Sequence, residues 1–421
     1  MPSAVLLASG TLSSTAADAT PTVPYASDNP NSRLWDLNET NLTAVVPERG
    51  SLGADILGQQ NIPLELENAD LLAPPTTDAG SISNAKWPFS LSHVRLQTGG
   101  WARQQNIQQL PVATGIAGVD MRLEAGAIRE MHWHNTAEWA YVLKGTTQIT
   151  AVDQNGRNYL ANVGPGDLWY FPPGVPHALQ ATNETEEGTE FLLIFPNGAF
   201  SDDSTFLLTD WLSHVPKEVI AKNFRVNMSA FDHIPDRQLY IFPSAPPPPN
   251  AQAPSDPQET VPSPYFFEFS KVNATQYSGG SAKISDISNF PIAEAISVAE
   301  VSVDPGAMRE LHWHPTQDEW AYFLEGQARV TVFAAEGHAV TYNFQPGDIG
   351  YVPAPYGHYI ENTGNSTLRF LEIVNSSKFE DVSLTQWLAL SPPALVKAHL
   401  QLSDDVINSL NKTKPFVVGP N

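Results

Sequence analysis

The dominant feature of the sequence is a long internal repeat. The segment Met121–His134, MRLEAGAIREMHWH, returns 180 residues later as Val301–His314, VSVDPGAMRELHWH. From Glu138 and Glu319 to His177 and His358 the offset is 181, so one residue has been inserted between the second histidine and the glutamate. A period of this length corresponds to a duplicated domain and not to a solenoid unit. With 421 residues, each copy is long enough to build its own core.

The apolar residues of the first copy fall in short runs that turn signals such as Gly164–Asp167 separate. We predict strands at Glu138–Leu143, Thr147–Val152, Asp167–Phe171 and Phe191–Phe195. Helices are predicted at Trp211–Ala221, Leu384–Leu390 and Pro393–His399. The predicted fold class is therefore mainly β, with two small antiparallel barrels, each followed by helices.

A proline-rich segment separates the two copies. It begins as FPSAPPPP at residue 242 and continues as a polar, proline-containing stretch to residue 264. Proline removes backbone donors and favours extended chain, so 242–264 is predicted to be a semi-rigid linker. The predicted domains are an N-terminal arm at 1–46, a first barrel domain at 47–241 and a second at 265–421.

Charge and composition exclude several classes of function. The chain has 45 acidic against 22 basic residues, a net charge of −23 and a pI near 4.7, so neither nucleic acid nor an anionic membrane is an expected partner. Without cysteine there are no disulfides and no thiolate ligands. No apolar run reaches the roughly 18 residues of a membrane-spanning helix.

Eight Asn-x-Ser/Thr sequons favour a secreted, glycosylated protein. The apolar stretch Ala4–Ala8 is too short for a secretion signal, and we expect that a leader was trimmed or truncated. The expected location is extracellular, in solution or at a cell wall. The sequons lie at Asn38, Asn41, Asn183, Asn227, Asn273, Asn365, Asn375 and Asn411.

Six of the eleven histidines occupy repeated positions. In a strand, His132 and His134 point to one face and Trp133 to the other. Three imidazoles and one carboxylate suit a divalent transition metal and leave two octahedral positions open. Because the whole set recurs with nearly the same spacing in both copies, ordinary packing is a poor explanation. The predicted metal ligands are His132, His134, Glu138 and His177 in the first copy, and His312, His314, Glu319 and His358 in the second.

Two motifs carry a resemblance to a known family. Gly126 begins a Gly-x5-His-x-His-x3-Glu-x6-Gly pattern, and Gly166 begins Gly-x5-Pro-x-Gly-x2-His. These resemble the two cupin motifs, so the chain resembles a bicupin. The second copy departs from the pattern in a longer His–Glu spacing and in Pro355, where a glycine is usual. The segments LQTGGWARQQ at 96–105 and SDDSTF at 201–206 make it most similar to oxalate decarboxylases of the fungal type.

The resemblance implies a fold, an activity and cofactors. It implies two cupin (jelly-roll) barrels with manganese, two Mn(2+) ions per chain, and conversion of oxalate to formate and carbon dioxide. Dioxygen (O2) acts in this family as a co-catalyst that is not consumed, and the assembly is a homo-oligomer, a trimer or a hexamer.

The resemblance also implies two acids. The bacterial members carry a mobile loop, Ser-Glu-Asn-Ser, whose glutamate moves the proton. Here the loop is Ser201–Ser204, so Asp202 replaces the glutamate, with Asp203 as the alternative. In the second copy Glu372 is the candidate acid, because a charged residue in an apolar strand is hard to explain by packing.

Arg129 and Arg309 each precede the first ligand histidine by three residues. A divalent ion with three neutral histidines and one glutamate carries a local charge of about +1, and the arginine adds to it. We therefore predict that both arginines bind a small anionic substrate and take part in catalysis, whereas the alternative is a salt bridge at the barrel rim.

Two other functions fit parts of this pattern. Oxalate oxidase uses the same metal shell but releases hydrogen peroxide, and an acid in the loop after the first copy favours decarboxylation over oxidation. A storage or binding bicupin is the alternative without catalysis, but such proteins typically lose metal ligands, and both sets are complete here.

Overall fold

The computed structural model describes residues 46–255 and 258–420. Each half of the repeat forms a sandwich of one seven-stranded and one six-stranded antiparallel sheet. The mainly β prediction is confirmed, with the refinement that the sheets form a jelly-roll sandwich and not a closed barrel. Apart from Val46, the predicted N-terminal arm lies outside the described residues, as do Asp256 and Pro257 of the predicted linker.

The first half is built from thirteen strands. In spatial order, the seven-stranded sheet contains Phe266–Phe267, Leu168–Phe171, Glu138–Lys144, Thr189–Phe195, Ala117–Leu123, Gly100–Gln105 and Arg95–Gln97. The six-stranded sheet contains Asn158–Val163, Thr147–Val152, His177–Ala181, Ile128–Trp133 and Phe206–Leu207, with Ile241–Phe242 also paired to Ile128–Trp133.

The second half repeats this arrangement. Its seven-stranded sheet contains Thr275–Tyr277, Gly280–Ser285, Ser297–Val303, Leu368–Val374, Glu319–Glu325, Asp348–Val352 and Lys86–Pro88. Its six-stranded sheet contains His338–Phe344, Ala328–Ala334, Gly357–Asn362, Met308–Trp313 and Val382–Ser383, with Val417–Val418 also paired to Met308–Trp313. A separate hairpin is formed by Glu48–Arg49 and Leu52–Gly53.

The two halves exchange edge strands. Lys86–Pro88, which precedes the first half in the chain, pairs with Asp348–Val352 of the second. Phe266–Phe267, which follows the linker, pairs with Leu168–Phe171 of the first. The predicted domain boundaries follow the repeat along the chain, whereas the sheets exchange these two short segments. Each edge strand thereby ties one sandwich to the other and covers an edge that would otherwise be open.

Three apolar clusters hold the structure together, one inside each sandwich and one between the halves. The strand Glu138–Lys144 shows why its sequence is apolar on both faces. Ala140 and Val142 point into the first sandwich, whereas Trp139 and Tyr141 point into the cluster between the halves. Strand side chains alternate between the two faces, and both faces of this strand are buried. The residues between Glu138 and Lys144 are therefore all of the kind found in a core.

Short helices follow each sandwich. The predicted helix Trp211–Ala221 is wrong as a single element, because Pro216 separates two helices; proline lacks a backbone donor and disfavours helix in the residue before it. The predicted helix Leu384–Leu390 is confirmed, and the next one extends one residue further than expected. Helices lie at Ile62–Glu67, Ala69–Leu72, Leu208–Ser213, Lys217–Phe224, Leu384–Leu390, Pro393–Leu400 and Asp404–Ser409. Within 46–255 and 258–420, none is long and apolar enough to span a membrane.

Candidate metal centres

Strand pairing brings the histidines of each half together. His132 lies opposite His177 in the six-stranded sheet of the first half, and His312 lies opposite His358 in the second. The two rings of each pair have centroids 4.2 and 4.1 Å apart, respectively. Residues that lie directly opposite each other are the closest neighbours on adjacent strands. The pairing therefore brings the third histidine of each half, which is distant in the chain, next to the His-x-His motif.

The structure brings all eight predicted ligands into two buried clusters. Within each cluster the four candidate ligand atoms lie within 4.8 Å of one another. In the first cluster, Oε2 of Glu138 is 3.2 Å from Nε2 of His134 and 3.3 Å from Nε2 of His177. In the second, Oε2 of Glu319 is 3.1 Å from Nε2 of His314 and 2.8 Å from Nε2 of His358.

Backbone carbonyl groups fix the orientation of every ring. In the first cluster each Nδ1 donates to a carbonyl oxygen within 2.6–2.8 Å, and the second cluster repeats this at 2.7–3.1 Å. A ring whose Nδ1–H is held in this way presents the lone pair of Nε2 to the centre of the cluster. All six histidines are therefore oriented as ligands.

The chemistry of the first cluster fits a divalent transition metal. Burial lowers the pKa of His132 well below its usual value and also lowers that of His177, so both rings are neutral. Although burial alone would raise the pKa of Glu138, the neighbouring His177 and His134 hold it well below the usual range. Neutral imidazoles and an ionised carboxylate are the forms that bind metal. Nε2 of His177 and, in the second half, Nε2 of His312 are buried without a hydrogen-bond partner among the described residues, as expected for ligand atoms.

Arg129 lies beside the first cluster, on the same strand as His132, and is 1% exposed. Its Nη2 is 3.0 Å from Oδ1 of Asp202, and its guanidinium lies 4.2 Å from the centre of the Tyr240 ring. Nε and Nη1 are buried and have no partner in the described parts of the chain. Since buried donors are nearly always satisfied, free donors on a buried cation mark a binding position for an anion.

The loop after the first sandwich places the two candidate acids, Asp202 and Asp203, in different surroundings. Asp202 begins a short 3-10 turn, and its buried carboxylate accepts hydrogen bonds from Arg129 and from the hydroxyl of Tyr240. The side chain of Asp203 is 64% exposed and pairs with Arg95 at 2.9 Å. Of the two acids, only Asp202 is buried and contacts Arg129.

The arginine of the second cluster has different surroundings. Nε and Nη2 of Arg309 donate to the two carboxylate oxygens of Glu372 at 3.1 and 3.0 Å, and Nη2 also donates to Asp381 at 2.8 Å. Oε1 of Glu372 lies 3.0 Å from Nε2 of His314. Burial would raise the pKa of Glu372, but Arg309 holds it well below the usual range, so this carboxylate is ionised.

Two residues of these sites were not predicted from the sequence. Asp381 follows Phe379 by two residues, as Asp202 follows Phe200, and each phenylalanine packs against a ligand histidine. This Phe-x-Asp pattern is a signal that sequence comparison of the two copies could have found. Tyr240 enters from a segment after the helices, and no local motif indicates it.

Comparisons with known proteins agree with this geometry. The cupin family model matches residues 91–230 and 268–408. Oxalate decarboxylase of Bacillus subtilis is 48% identical over 88% of this chain and 96% of its own length. A probable oxalate decarboxylase of Arthroderma benhamiae is 42% identical over 87% of this chain and 91% of its own length.

Solved structures give the same result. A structure of the Bacillus subtilis oxalate decarboxylase superposes with a TM-score of 0.86 at 47% identity, covering 90% of this chain and 98% of that one. Another, from a study of the Mn(II) centres of that enzyme, gives a TM-score of 0.86 at 47% identity, with 89% and 99% of the two chains covered. The chain thus belongs to the cupin family and, within it, to the two-domain oxalate decarboxylases.

Proposed function

We propose that this protein is a manganese-dependent oxalate decarboxylase that produces formate and carbon dioxide at the first cupin, with dioxygen as a co-catalyst that is not consumed. The observation that carries the proposal is the pair of free, buried donors of Arg129 beside a His3Glu cluster. The relatives named oxalate decarboxylase and the Mn(II) centres of the Bacillus subtilis enzyme support the choice of substrate and metal.

Oxalate matches the site in charge and shape. It carries two adjacent carboxyl groups, and the buried guanidinium of Arg129 has two N–H groups, Nε and Nη1, that are free to donate to a carboxylate oxygen. The other carboxyl group then faces the cluster of His132, His134, Glu138 and His177, which would hold the manganese. When bound there, manganese supplies Lewis-acid and one-electron redox chemistry beside the substrate.

Asp202 is placed to move the proton. Its carboxylate accepts hydrogen bonds from Arg129 and from the hydroxyl of Tyr240, which puts it beside the position proposed for the substrate. In the overall reaction the C–C bond of hydrogen oxalate breaks, one carbon leaves as carbon dioxide, and the acidic proton ends on the carbon of formate. Asp202 takes that proton from oxalate and returns it to the one-carbon product, and the closed loop keeps water away in the interval.

The second cupin has only one free arginine donor, Nη1 of Arg309, where the first has two. Glu372 and Asp381 already occupy Nε and Nη2 of Arg309, so an oxalate dianion would meet two carboxylates. The role of Glu372 as an acid stays a prediction, and its ion pair favours a charge-balancing role. We assign turnover to the first cupin and a metal-holding role to the second.

The direct test is product analysis on the metal-replete protein. Incubation with oxalate in the presence of dioxygen should give formate and carbon dioxide in equal amounts, with little hydrogen peroxide. Abundant peroxide without formate would establish the oxidase instead. If neither product appeared, the protein would be a binding or storage bicupin.

Secretion and glycosylation form a second part of the proposal. Of the six sequons in the described chain, those at Asn183, Asn227, Asn273, Asn365 and Asn411 are exposed. Asn375 is half-buried, and its side chain accepts a hydrogen bond from the backbone of Asp318. Asn38 and Asn41 lie outside the described residues. Mass spectrometry of the native protein should find glycans at exposed sequons and none at Asn375; a protein without any glycan would contradict secretion through a glycosylating route.

We also propose a homo-oligomer, a trimer or a hexamer. Large apolar side chains are exposed on the outer face of each six-stranded sheet and its helices. In the first half, Phe206 and Trp211 are 56% and 58% exposed and pack around Trp133. Exposed aromatic groups of this size are typical of protein interfaces. Sedimentation velocity should give a mass of three or six chains, and a monomer at micromolar concentration would refute the proposal.

A further inference from the structure

The loop that carries Asp202 is attached to the barrel at two levels. Its base is fixed by a backbone hydrogen bond from Ile107 to Gly198 and by the buried side chain of Asn106, which donates to the carbonyl oxygen of Phe200; both distances are 2.9 Å. Its tip, Ser201–Ser204, is a single 3-10 turn that projects over the cavity. The base is part of the packed structure, so the position of Asp202 depends on what holds the tip.

The side chain of Gln104 makes two hydrogen bonds to this tip. Its Oε1 accepts from the backbone N–H of Asp202 at 2.9 Å, and its Nε2 donates to Oγ of Ser201 at 3.3 Å. The first N–H groups of a helical turn have no partner within the turn, so the Asp202 N–H needs an external acceptor to be satisfied in the closed position. The side-chain amide of Gln104 therefore holds the backbone of Asp202, whose carboxylate is the proposed acid.

The second cupin has no equivalent of this contact. Gln104 pairs with Val119 across the sheet, and Ile284 pairs with Ala299 at the same register in the second half. An isoleucine side chain can neither donate nor accept a hydrogen bond. Asp381 is instead held by Arg309 and by Lys414. A glutamine at this register is thus found only in the half whose arginine, Arg129, has two free donors.

Gln104 also lines a cavity of about 360 Å³ together with Asp202 and Tyr240. Its two hydrogen bonds to the turn must break for the tip of the loop to move away from its closed position. The same side chain is therefore placed to set how long the loop stays closed.

We infer that Gln104 is a positioning residue for decarboxylation: it holds the Ser201–Ser204 turn closed, so that Asp202 is in place to return the proton to the one-carbon product. This inference rests on the proposed function. Since a proton donor in the loop favours formate over peroxide, loss of Gln104 shifts the products from formate toward hydrogen peroxide and leaves manganese binding unchanged.

The test compares Gln104→Leu with Gln108→Leu, a matched control that lines the same cavity. Gln104→Leu loses both hydrogen bonds to the turn and should lower formate turnover about tenfold, since the closed position of Asp202 is then less populated. The share of peroxide should rise, with manganese content and KM close to those of the wild type. Gln108→Leu should leave the ratio of formate to peroxide unchanged.

A double-mutant cycle with Ser201→Ala makes the test specific. Ser201→Ala removes one of the two bonds and should lower formate turnover about threefold in the wild type, but have no further effect in the Gln104→Leu background. Additive effects, or an unchanged product ratio in Gln104→Leu, would overturn the inference. If Gln104→Leu does not fold, a wild-type product ratio in Ser201→Ala alone would overturn it. A wild-type protein that makes no formate would refute the proposed function instead.

Discussion

The two cupins share a metal shell but differ in what surrounds the arginine beside it. Leu193 and Glu372 occupy the same register on matching strands: Leu193 lies opposite Ala140, and Glu372 lies opposite Ala321. In the first cupin the residue is apolar and Arg129 keeps two donors free, whereas in the second it is a carboxylate that binds the arginine. We therefore expect this one inward-facing position to control whether the arginine can bind an anion from solution.

A second difference lies on the other side of the arginine. Tyr240 and Phe416 have matching positive φ angles of 58° and 53°, and each packs its ring against the guanidinium of its own half. Only tyrosine has a hydroxyl group, which binds Asp202 in the first cupin. The same strand arrangement thus builds the same set of metal ligands in both halves. Single side chains around these ligands give the arginine of each half different partners.

The largest effect should come from removal of a metal ligand in one copy at a time. His132→Ala and His312→Ala should each lower the manganese content by about half, since each breaks one shell. Formate production should disappear only in His132→Ala. Metal analysis with product assays checks this, and equal loss of activity in both variants would mean that the copies do not divide their roles.

Substitution of Arg129 and of Arg309 should have effects that differ almost as strongly. Arg129→Gln should reduce kcat/KM for oxalate by about a thousandfold, because a buried charge-assisted pair with the substrate is lost. Arg309→Gln should instead destabilise the fold, because it leaves Glu372 and Asp381 buried without their cation, which costs about 3–5 kcal/mol. Steady-state kinetics and thermal unfolding separate the two outcomes, and a large loss of kcat/KM in a folded Arg309→Gln protein would contradict the assignment.

The two acids of the loop give the next comparison. Asp202→Asn should lower formate turnover about a hundredfold, since general acid–base groups contribute at least that much. Asp203→Asn removes an exposed ion pair with Arg95 and should change turnover by less than about threefold. Both variants should retain manganese. If Asp203→Asn had the larger effect, the carboxylate facing the cavity would not be the one that moves the proton.

Leu193→Glu would give the first cupin the residue of the second. The new carboxylate should bind the free donors of Arg129 and compete with substrate, so KM for oxalate should rise by about thirtyfold. Leu193→Met is the matched control, since it keeps the volume without the charge. Similar KM values for the two variants would show that position 193 does not control anion binding.

The smallest effect should come from Tyr240→Phe, which gives the first cupin the ring of the second. Loss of one hydrogen bond to a charged group corresponds to about 1.5–3 kcal/mol at most, and Arg129 still holds Asp202, so a fall in formate turnover of about fivefold is expected. The share of peroxide should rise slightly. Unchanged turnover and product ratio would remove Tyr240 from the set that positions Asp202.

Much of the metal site could be predicted from the sequence because its geometry is local or repeated. His132 and His134 share a face through the two-residue period of a strand, and the second copy confirmed the set. The four predicted strands of the first copy were also confirmed, with ends that differ by two residues or fewer. Regular periods of this kind depend on neighbours in the chain, which a sequence displays directly.

The rest depends on contacts between distant segments. The exchange of Lys86–Pro88 and Phe266–Phe267 between the sandwiches leaves no local pattern, because each strand is only two or three residues long. The partners of each arginine likewise come from segments that are distant in the chain, so the different surroundings of Arg129 and Arg309 appear only in three dimensions. The alternatives Asp202 and Asp203 were separated in the same way, by which carboxylate the turn directs inward.

Oxalate should occupy one cupin and not the other. The most direct measurement is a crystal structure of the manganese-loaded protein soaked with oxalate in the absence of dioxygen, so that the ligand persists. We expect oxalate bound to the guanidinium of Arg129 in the first cupin, with Arg309 still paired to Glu372 and Asp381 in the second. Oxalate on Arg309, or in both cupins equally, would contradict this division of roles.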